Sequence, residues 1–362
     1  MKIAYFVTPH GFGHASRACA VMSAIQRIEN RINFDIFTTI PEWFFQDSLE
    51  HDSFTYNPFT VDVGLIQQSP LVINLPQTIT QLNQFIPFTP GKSRDVIDRM
   101  NGNQTKWIFS DISPLGIYLA DQLQIPSILI ENFTWDWIYQ EYSEIERGFV
   151  EPIRYYSQIF QLPDYHIQTQ PLCNPTIQPS LISDPVSREP RQSRKQIRKR
   201  LGIMEADHMV LVTMGGIRTD FSFLNNRVTA RNMYFVVPGM EANNGLADNV
   251  ITLPHHSDFY HPDLINACDI VIGKVGYSTL AEVYHASKPF GYIPRSTFRE
   301  SPILEQFIRE EMKSIKIPES DLYRENWVDV IIPLFDVDQN TERKDNGAVQ
   351  IANFFLKKLL KT

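Results

Sequence analysis

Three short segments carry side chains whose types and spacing could support chemistry. The first is Pro9-His10-Gly11-Phe12-Gly13-His14, with Arg17 one helical turn further on; it follows an apolar run and opens a helical pattern. Gly11 and Gly13 let backbone approach a ligand, and a helix start supplies N–H groups with no partner inside the helix. His14 suits a general base there, because imidazole changes charge near neutrality; a tight turn with a capping histidine fits the same residues. The second segment is Ser110-Asp111-Ile112-Ser113-Pro114. Asp111 could cap the helix that follows it, or orient and charge-stabilise a histidine from a neighbouring strand end. The third is Gly273-Lys274-Val275-Gly276-Tyr277-Ser278-Thr279, leading into Glu282. Glycines with Ser and Thr at a helix start form a cradle for a diphosphate, and Glu282, one turn inside, could accept hydrogen bonds from a ribose. The spacing is not that of a Walker A loop. Met214-Gly215-Gly216 and Phe298-Arg299-Glu300 follow two further strand patterns and belong beside this cradle.

Other groupings are weaker. His255, His256 and His261 do not have a standard ligand spacing and no carboxylate pattern completes them, so no metal is expected. Asp336-Val337-Asp338 has the form of a diphosphate–metal motif but lies beyond the expected core strands, and is rejected. The basic run Arg188, Arg191, Arg194, Lys195, Arg198, Lys199, Arg200 reads as a solvated helix face in preference to a phosphate patch, because no aromatic residues interleave it.

The elements that must position these residues come from alternating short apolar runs and helical periodicities, the pattern of βαβ units and parallel sheets. Strands are expected at 3–7, 34–38, 107–110 and 127–130, and again at 209–213, 233–237, 269–272 and 289–293. Helices are expected at 15–28, 114–123, 279–286, 302–310 and 348–360. Residues 55–90, rich in Pro, Gln and Asn, read as a long, partly irregular segment. Pro171, Pro175, Pro179, Pro185 and Pro190 mark an extended connector. The division is therefore a first domain at 1–170, a connector at 171–192, a second domain at 193–345 and a C-terminal amphipathic helix at 346–362.

Composition narrows the class. The 362 residues carry 33 Lys and Arg against 41 Asp and Glu, a net charge of −8, which argues against a protein built to grip nucleic-acid phosphates. Hydrophobic residues at 43% and charged residues at 20% are those of an ordinary globular chain. Three cysteines without CxxC spacing read as reduced thiols of a cytoplasmic protein. The start reads as a buried strand and not as a secretory signal, and no run is long enough to span a membrane, so at most peripheral membrane contact is expected.

Taken in order, these segments resemble the GT-B glycosyltransferases, and in particular the glycosyltransferase-like N-terminal half of plant L-arabinokinases. The resemblance rests on Gly11-Phe12-Gly13-His14-Ala15-Ser16-Arg17, Ser110-Asp111, Asn132-Phe133-Thr134-Trp135-Asp136-Trp137-Ile138-Tyr139 and the segment 273–302. Residues 279–294 are more distantly similar to the donor site of the peptidoglycan N-acetylglucosaminyltransferase and of UDP-glucuronosyltransferases. The resemblance implies two Rossmann-like domains with parallel sheets facing across a cleft. It implies a nucleotide-sugar on the second domain, its diphosphate at 276–279 and its ribose at Glu282, with Gly215, Gly216, Gly273, Lys274, Tyr277, Arg299 and Glu300 around it. His14 would deprotonate an acceptor hydroxyl, Asp111 would be its partner, and Gly11, Gly13 and Arg17 would shape the first loop. Trp135 and Trp137 could stack on an acceptor or simply pack. Glu300-Ser301 stands where these transferases often hold the sugar with Gln-Gln or Asp-Gln, and the kinase half of the arabinokinases is absent. The expected activity is metal-independent, inverting transfer from a UDP-type donor to an unidentified acceptor hydroxyl. The alternatives are a nucleotide-sugar epimerase or hydrolase, and a non-catalytic nucleotide-sugar-binding module.

Overall fold

The computed structural model describes the chain except residues 70–71, 92, 216–220, 225–231, 241–245, 325–326, 337–344 and 360–362. The chain divides into two compact units, one of residues 1–68, 72–186 and 345–362, the other of residues 69–71 and 187–344.

The first unit is a seven-stranded parallel sheet. Its strands are β1 (Lys2–Val7), β2 (Asn33–Thr38), β3 (Phe54–Pro58), β6 (Trp107–Asp111), β7 (Ser127–Glu131), β8 (Tyr165–Thr169) and β9 (Leu181–Ser183), in the order β3-β2-β1-β6-β7-β8-β9. Between β3 and β6 lie a small two-stranded ladder, β4 (Gln67–Ser69) with β5 (Val72–Ile73), and helices α3 (Leu75–Phe85) and α4 (Arg94–Gly102); the ladder and α3 fall in the stretch 55–90 that the sequence read as partly irregular. The other helices of this unit are α1 (Gly13–Ile28), α2 (Glu42–Ser48), α5 (Pro114–Leu123), α6 (Trp135–Gln140), α7 (Val150–Ile159) and α13 (Gly347–Leu359). Strand β1 is a continuous apolar run, Ile3 to Val7, because both faces of a parallel sheet are covered by helices.

The second unit repeats the plan with six parallel strands, β10 (His208–Thr213), β11 (Met233–Pro238), β12 (Val250–Leu253), β13 (Ile270–Lys274), β14 (Phe290–Ile293) and β15 (Ser314–Lys316), in the order β12-β11-β10-β13-β14-β15. Its helices are α8 (Arg194–Leu201), α9 (His261–Ala267), α10 (Tyr277–His285), α11 (Ser301–Glu311) and α12 (Glu319–Leu322). In each sheet the strand order reverses direction once, between β1 and β6 and between β10 and β13. At such a reversal, the loops leaving the carboxyl ends of the two central strands diverge to opposite faces and open a crevice for a ligand. Both pairs of loops singled out by the sequence, those after β1 and β6 and those after β10 and β13, leave at these two points.

The proline-rich stretch is not a free connector up to residue 192. Its first part runs into β9, which pairs with β8 as the edge of the first sheet and gives α13 its seat. Gln350 and Asp184 exchange hydrogen bonds, backbone N–H to Gln350 Oε1 at 2.9 Å and Gln350 Nε2 to Asp184 Oδ2 at 2.8 Å. A Cβ on Gly347 would run into the Asp184 carbonyl oxygen, so only glycine lets α13 begin there. The amphipathic helix thus packs on the first unit, with Phe355 edge-on to Trp107 and Phe109 at 5.3 and 5.0 Å.

Candidate functional site

In the first unit the loop after β1 turns at Gly11, whose φ of +71° is a left-handed value that suits glycine, and nothing lies within 4 Å of where its Cβ would be. Helix α1 then begins at Gly13, and His14 and Arg17, three apart, share its inner face. Asp111 closes β6, in parallel register with Val7. The next residue, Ile112, takes φ +46°, rare for a β-branched side chain and a strained conformation of the sort that collects at functional sites.

These residues meet. His14 Nδ1 lies 2.8 Å from Asp111 Oδ1. Arg17 grips the same carboxylate with two parallel bonds, Nε to Oδ2 and Nη2 to Oδ1, both 2.7 Å, and its Nη1 donates to Asn132 Oδ1 at 2.7 Å. Arg17 and Asp111 are 1% and 0% exposed, so the pair is fully desolvated. Burial alone would raise the Asp111 carboxyl, but Arg17, and then His14, hold it below its ordinary value. An ionised carboxylate only accepts hydrogen bonds, so this contact favours the tautomer with its proton on His14 Nδ1, in which Nε2 carries the lone pair. Neither simpler role applies: the helices that begin at Gly13 and Pro114 have no side-chain cap, from His14, Asp111 or any other residue.

The sequence missed two parts of this arrangement. Arg17 was assigned only to the shape of the first loop, whereas it joins the carboxyl ends of β6, β7 and β8. Asp62, a lone acid between Val61 and Val63, was not singled out. It accepts hydrogen bonds from Thr8 Oγ1 and, at 3.1 Å, from Trp135 Nε1, and its Oδ1 is buried without a partner among the described residues. Burial pushes its carboxyl well up, Trp135 opposes, and the Asp111 charge adds to the rise, which favours the neutral acid. Trp135 is 1% exposed and stacks on Tyr139 at 5.7 Å; Trp137 is 8% exposed. Of the two roles the sequence left open, stacking on an acceptor or packing, this burial favours packing.

In the second unit, Gly276 is the N-cap of α10, extended, with no side-chain cap, and a Cβ there would meet nothing within 4 Å. The first N–H groups of α10 have no partners inside the helix, and among the described residues no hydrogen bond occupies the hydroxyls of half-buried Ser278 and buried Thr279. Tyr277 is buried at the first helical position. Gly273 belongs to the strand: a Cβ on it would sit 2.7 Å from the Thr213 carbonyl oxygen, so its need for glycine is sheet packing and not ligand approach. Gly215 takes φ +69°, and the Lys274 side chain lies across it. Gly216 lies outside the described residues. Glu300 caps nothing; its Oε1 is 3.6 Å from Arg295 Nη1, and Arg299 beside it is half-buried.

Glu282 is more occupied than the sequence suggested. Its Oε1 accepts from Arg188 Nε and its Oε2 meets His261 Nδ1, both at 2.9 Å, while His261 Nε2 lies 3.3 Å from Thr213 Oγ1. Burial would raise this carboxyl, but Arg188, followed by His261, lowers it. Two of the acceptor positions that a ribose would use are therefore taken. The basic run also needs correction. Arg188 and Arg198 are buried, Arg194 pairs with Asp269 at 2.6 Å, and Arg198 donates to the carbonyls of Met204 and Asp207, which leaves Arg191, Lys195, Lys199 and Arg200 as the exposed members. Among the described residues no group of three His, Cys, Asp or Glu side chains could hold a metal ion, and no helix is long and apolar enough to cross a membrane. Asp336 is exposed, and Asp338 lies outside the described residues.

No family model matches the chain. Over 340 residues, 90% of its length, it is 26% identical to the L-arabinokinase of Arabidopsis thaliana, and it spans 31% of that protein. Solved structures resemble it from end to end. The glycosyltransferase of kitacinnamycin superposes with a TM-score of 0.67 at 13% identity, covering 99% of this chain and 98% of its own. Phytolacca americana UGT2, complexed with UDP-2-fluoro-glucose and pterostilbene, gives 0.63 at 10% identity and covers 99% of both chains. The spinosyn rhamnosyltransferase SpnG, complexed with thymidine diphosphate, gives 0.64 at 11% identity and covers 100% of both. The chain thus has the two-unit α/β fold of the GT-B glycosyltransferases.

Proposed function

We propose that the protein is a glycosyltransferase that takes its sugar from a nucleotide diphosphate donor, of UDP type, and passes it to an acceptor hydroxyl with inversion and without a metal ion. The observation that carries this reading is the contact of His14 with a carboxylate that Arg17 fixes in place. His14 Nε2 takes the proton of the acceptor hydroxyl. The oxygen then attacks the anomeric carbon as the bond from that carbon to the diphosphate breaks, and the imidazolium is stabilised by Asp111. The negative charge that builds on the departing diphosphate is received by the N–H groups at the start of α10. Support for the donor comes from that helix start without a side-chain cap and from the nucleotide and nucleotide-sugar found in the SpnG and UGT2 structures.

The experiment is a melting screen of the full chain with UDP, TDP and GDP and their sugars, followed by mass spectrometry of products in an acceptor mixture. A new glycoside, formed equally well in EDTA, is the expected result. An isomerised or hydrolysed donor would replace transfer with epimerase or hydrolase chemistry, and binding without turnover would leave a nucleotide-sugar-binding module. A strict requirement for Mg²⁺ or Mn²⁺ would overturn the metal-independent mechanism.

A further inference from the structure

Lys274 is the last residue of β13, 8% exposed, and among the described residues no hydrogen bond or ion pair reaches its ammonium nitrogen. A buried amine is usually paired, since taking an isolated ammonium out of water is costly. This one lies across Gly215, its Cε 2.9 Å and its Nζ 3.5 Å from where a Cβ on that glycine would be. It is thus at the carboxyl end of one central strand, against the loop leaving the other, and two residues before the start of α10. The charged groups that bear on it come from the loop between β14 and α11. Arg295 repels it and Glu300 attracts it, and that carboxylate is shared with Arg295, leaving Glu300 Oε2 buried without a partner among the described residues. The other titratable groups of the site, Glu282 and His261, are engaged with one another and with Arg188. Among the described residues, protonated Lys274, Arg295, the Glu300 carboxylate and the positive end of a helix dipole leave a surplus of positive potential that an anion would cancel.

We propose that a nucleotide-sugar binds here together with a proton, which Lys274 takes up as the diphosphate arrives, so that affinity for the donor falls as the solution becomes alkaline. The inference rests on the donor reading above and adds to it a proton as a co-ligand. Burial, with Arg295 adding to it and Glu300 opposing, lowers Lys274 to about 7, so near neutrality the amine is poised between its two forms. A diphosphate favours the ammonium and raises that value. Below pH 7 the competent form is already present. Above it, apparent affinity falls with the protonated fraction, about tenfold per pH unit.

The test is calorimetry of the full chain with UDP-glucose, whose esterified diphosphate does not titrate over the range used. Near pH 8, in two buffers of different ionisation enthalpy, the expected result is uptake of close to one proton per donor bound, and a Kd rising about tenfold from there to pH 9. Lys274→Arg, which stays charged, is expected to bind with no uptake and a flat pH profile. A wild-type Kd independent of pH, with a binding heat independent of buffer, would overturn the proton linkage while leaving the donor reading intact. A wild-type protein that binds no UDP-, TDP- or GDP-sugar at any pH would overturn both. The wild-type buffer series decides even if Lys274→Arg does not fold.

Discussion

At the scale of single residues, the base and its support are separable. His14 supplies the lone pair, Asp111 fixes its tautomer, and Arg17 fixes Asp111. Removing His14 should cost the roughly 10²–10⁴-fold in rate that a general base contributes, with donor Kd unchanged, since the donor cradle belongs to the other unit. Asp111→Asn should cost less in kcat, because it keeps the base and loses only orientation and charge. Wild-type kcat in a folded His14→Ala protein would sink this mechanism. Arg17→Met is predicted to act on stability first. It leaves a carboxylate buried and uncompensated, a loss of about 3–5 kcal/mol that urea unfolding at neutral pH would measure. Its pH dependence has a definite sign. In the wild type the lowered Asp111 carboxyl contributes stability that is present above its unfolded value and lost as pH falls through the folded one. In Arg17→Met, burial is opposed only by His14, so the carboxyl rises and stability should instead fall as pH increases. The types and spacing of His14 and Asp111 were readable in the sequence because Asp111 ends a strand pattern and His14 opens the helical pattern that follows another. That Arg17 is the clamp was not, because its partners Asp111 and Asn132 lie 94 and 115 residues away.

At the scale of elements, two glycines in one segment, identical as letters, have opposite structural meanings. Gly276 faces open space at the start of α10, and Gly273 faces the backbone of β10. Gly276→Val should therefore fold normally but lose the melting shift produced by a UDP-sugar, because bound ligand stabilises by RT ln(1 + [L]/Kd) and a side chain at that position blocks backbone approach. Gly273→Ala should lower the melting temperature before any ligand is added. An undiminished ligand shift in folded Gly276→Val would remove α10 from the donor site. Periodicity located the central strands of both sheets to within a residue or two, because these are buried on both faces and read as continuous apolar runs. It missed β3, β8, β9, β12 and β15, which lie at or next to sheet edges and carry mixed sequence; Leu181-Ile182-Ser183 has no pattern long enough to register. It also read the run from Arg188 to Arg200 as surface, since a charged letter does not say whether Asp269 or a carbonyl waits behind it.

At the scale of the whole molecule, the chain enters the second unit after Val186 and returns to the first at Asp345. The last helix is therefore a component of the first core, where Ile351, Ala352 and Phe355 are buried with residues of α1, β1 and β6. An amphipathic pattern at the end of the chain could announce such a helix but not which unit receives it. That assignment depends on Asp184 and Gly347, far apart in sequence. It makes a prediction that joins stability to function. Phe355→Ala removes a fully buried ring from between Trp107 and Phe109 and should cost the first unit about 3–5 kcal/mol. Two units with separate cores need not melt as one transition. A nucleotide-sugar held by the α10 cradle should raise the transition of the second unit, and Phe355→Ala should lower that of the first. Scanning calorimetry of wild type and variant, each with and without UDP-glucose, separates the two effects. The expected result is a lowered first-unit transition in Phe355→Ala beside a ligand-induced shift equal to that of the wild type. A variant whose ligand shift vanishes while its second transition is unchanged would mean that the first core is required to hold the donor, and the assignment of donor binding to the second unit alone would fail.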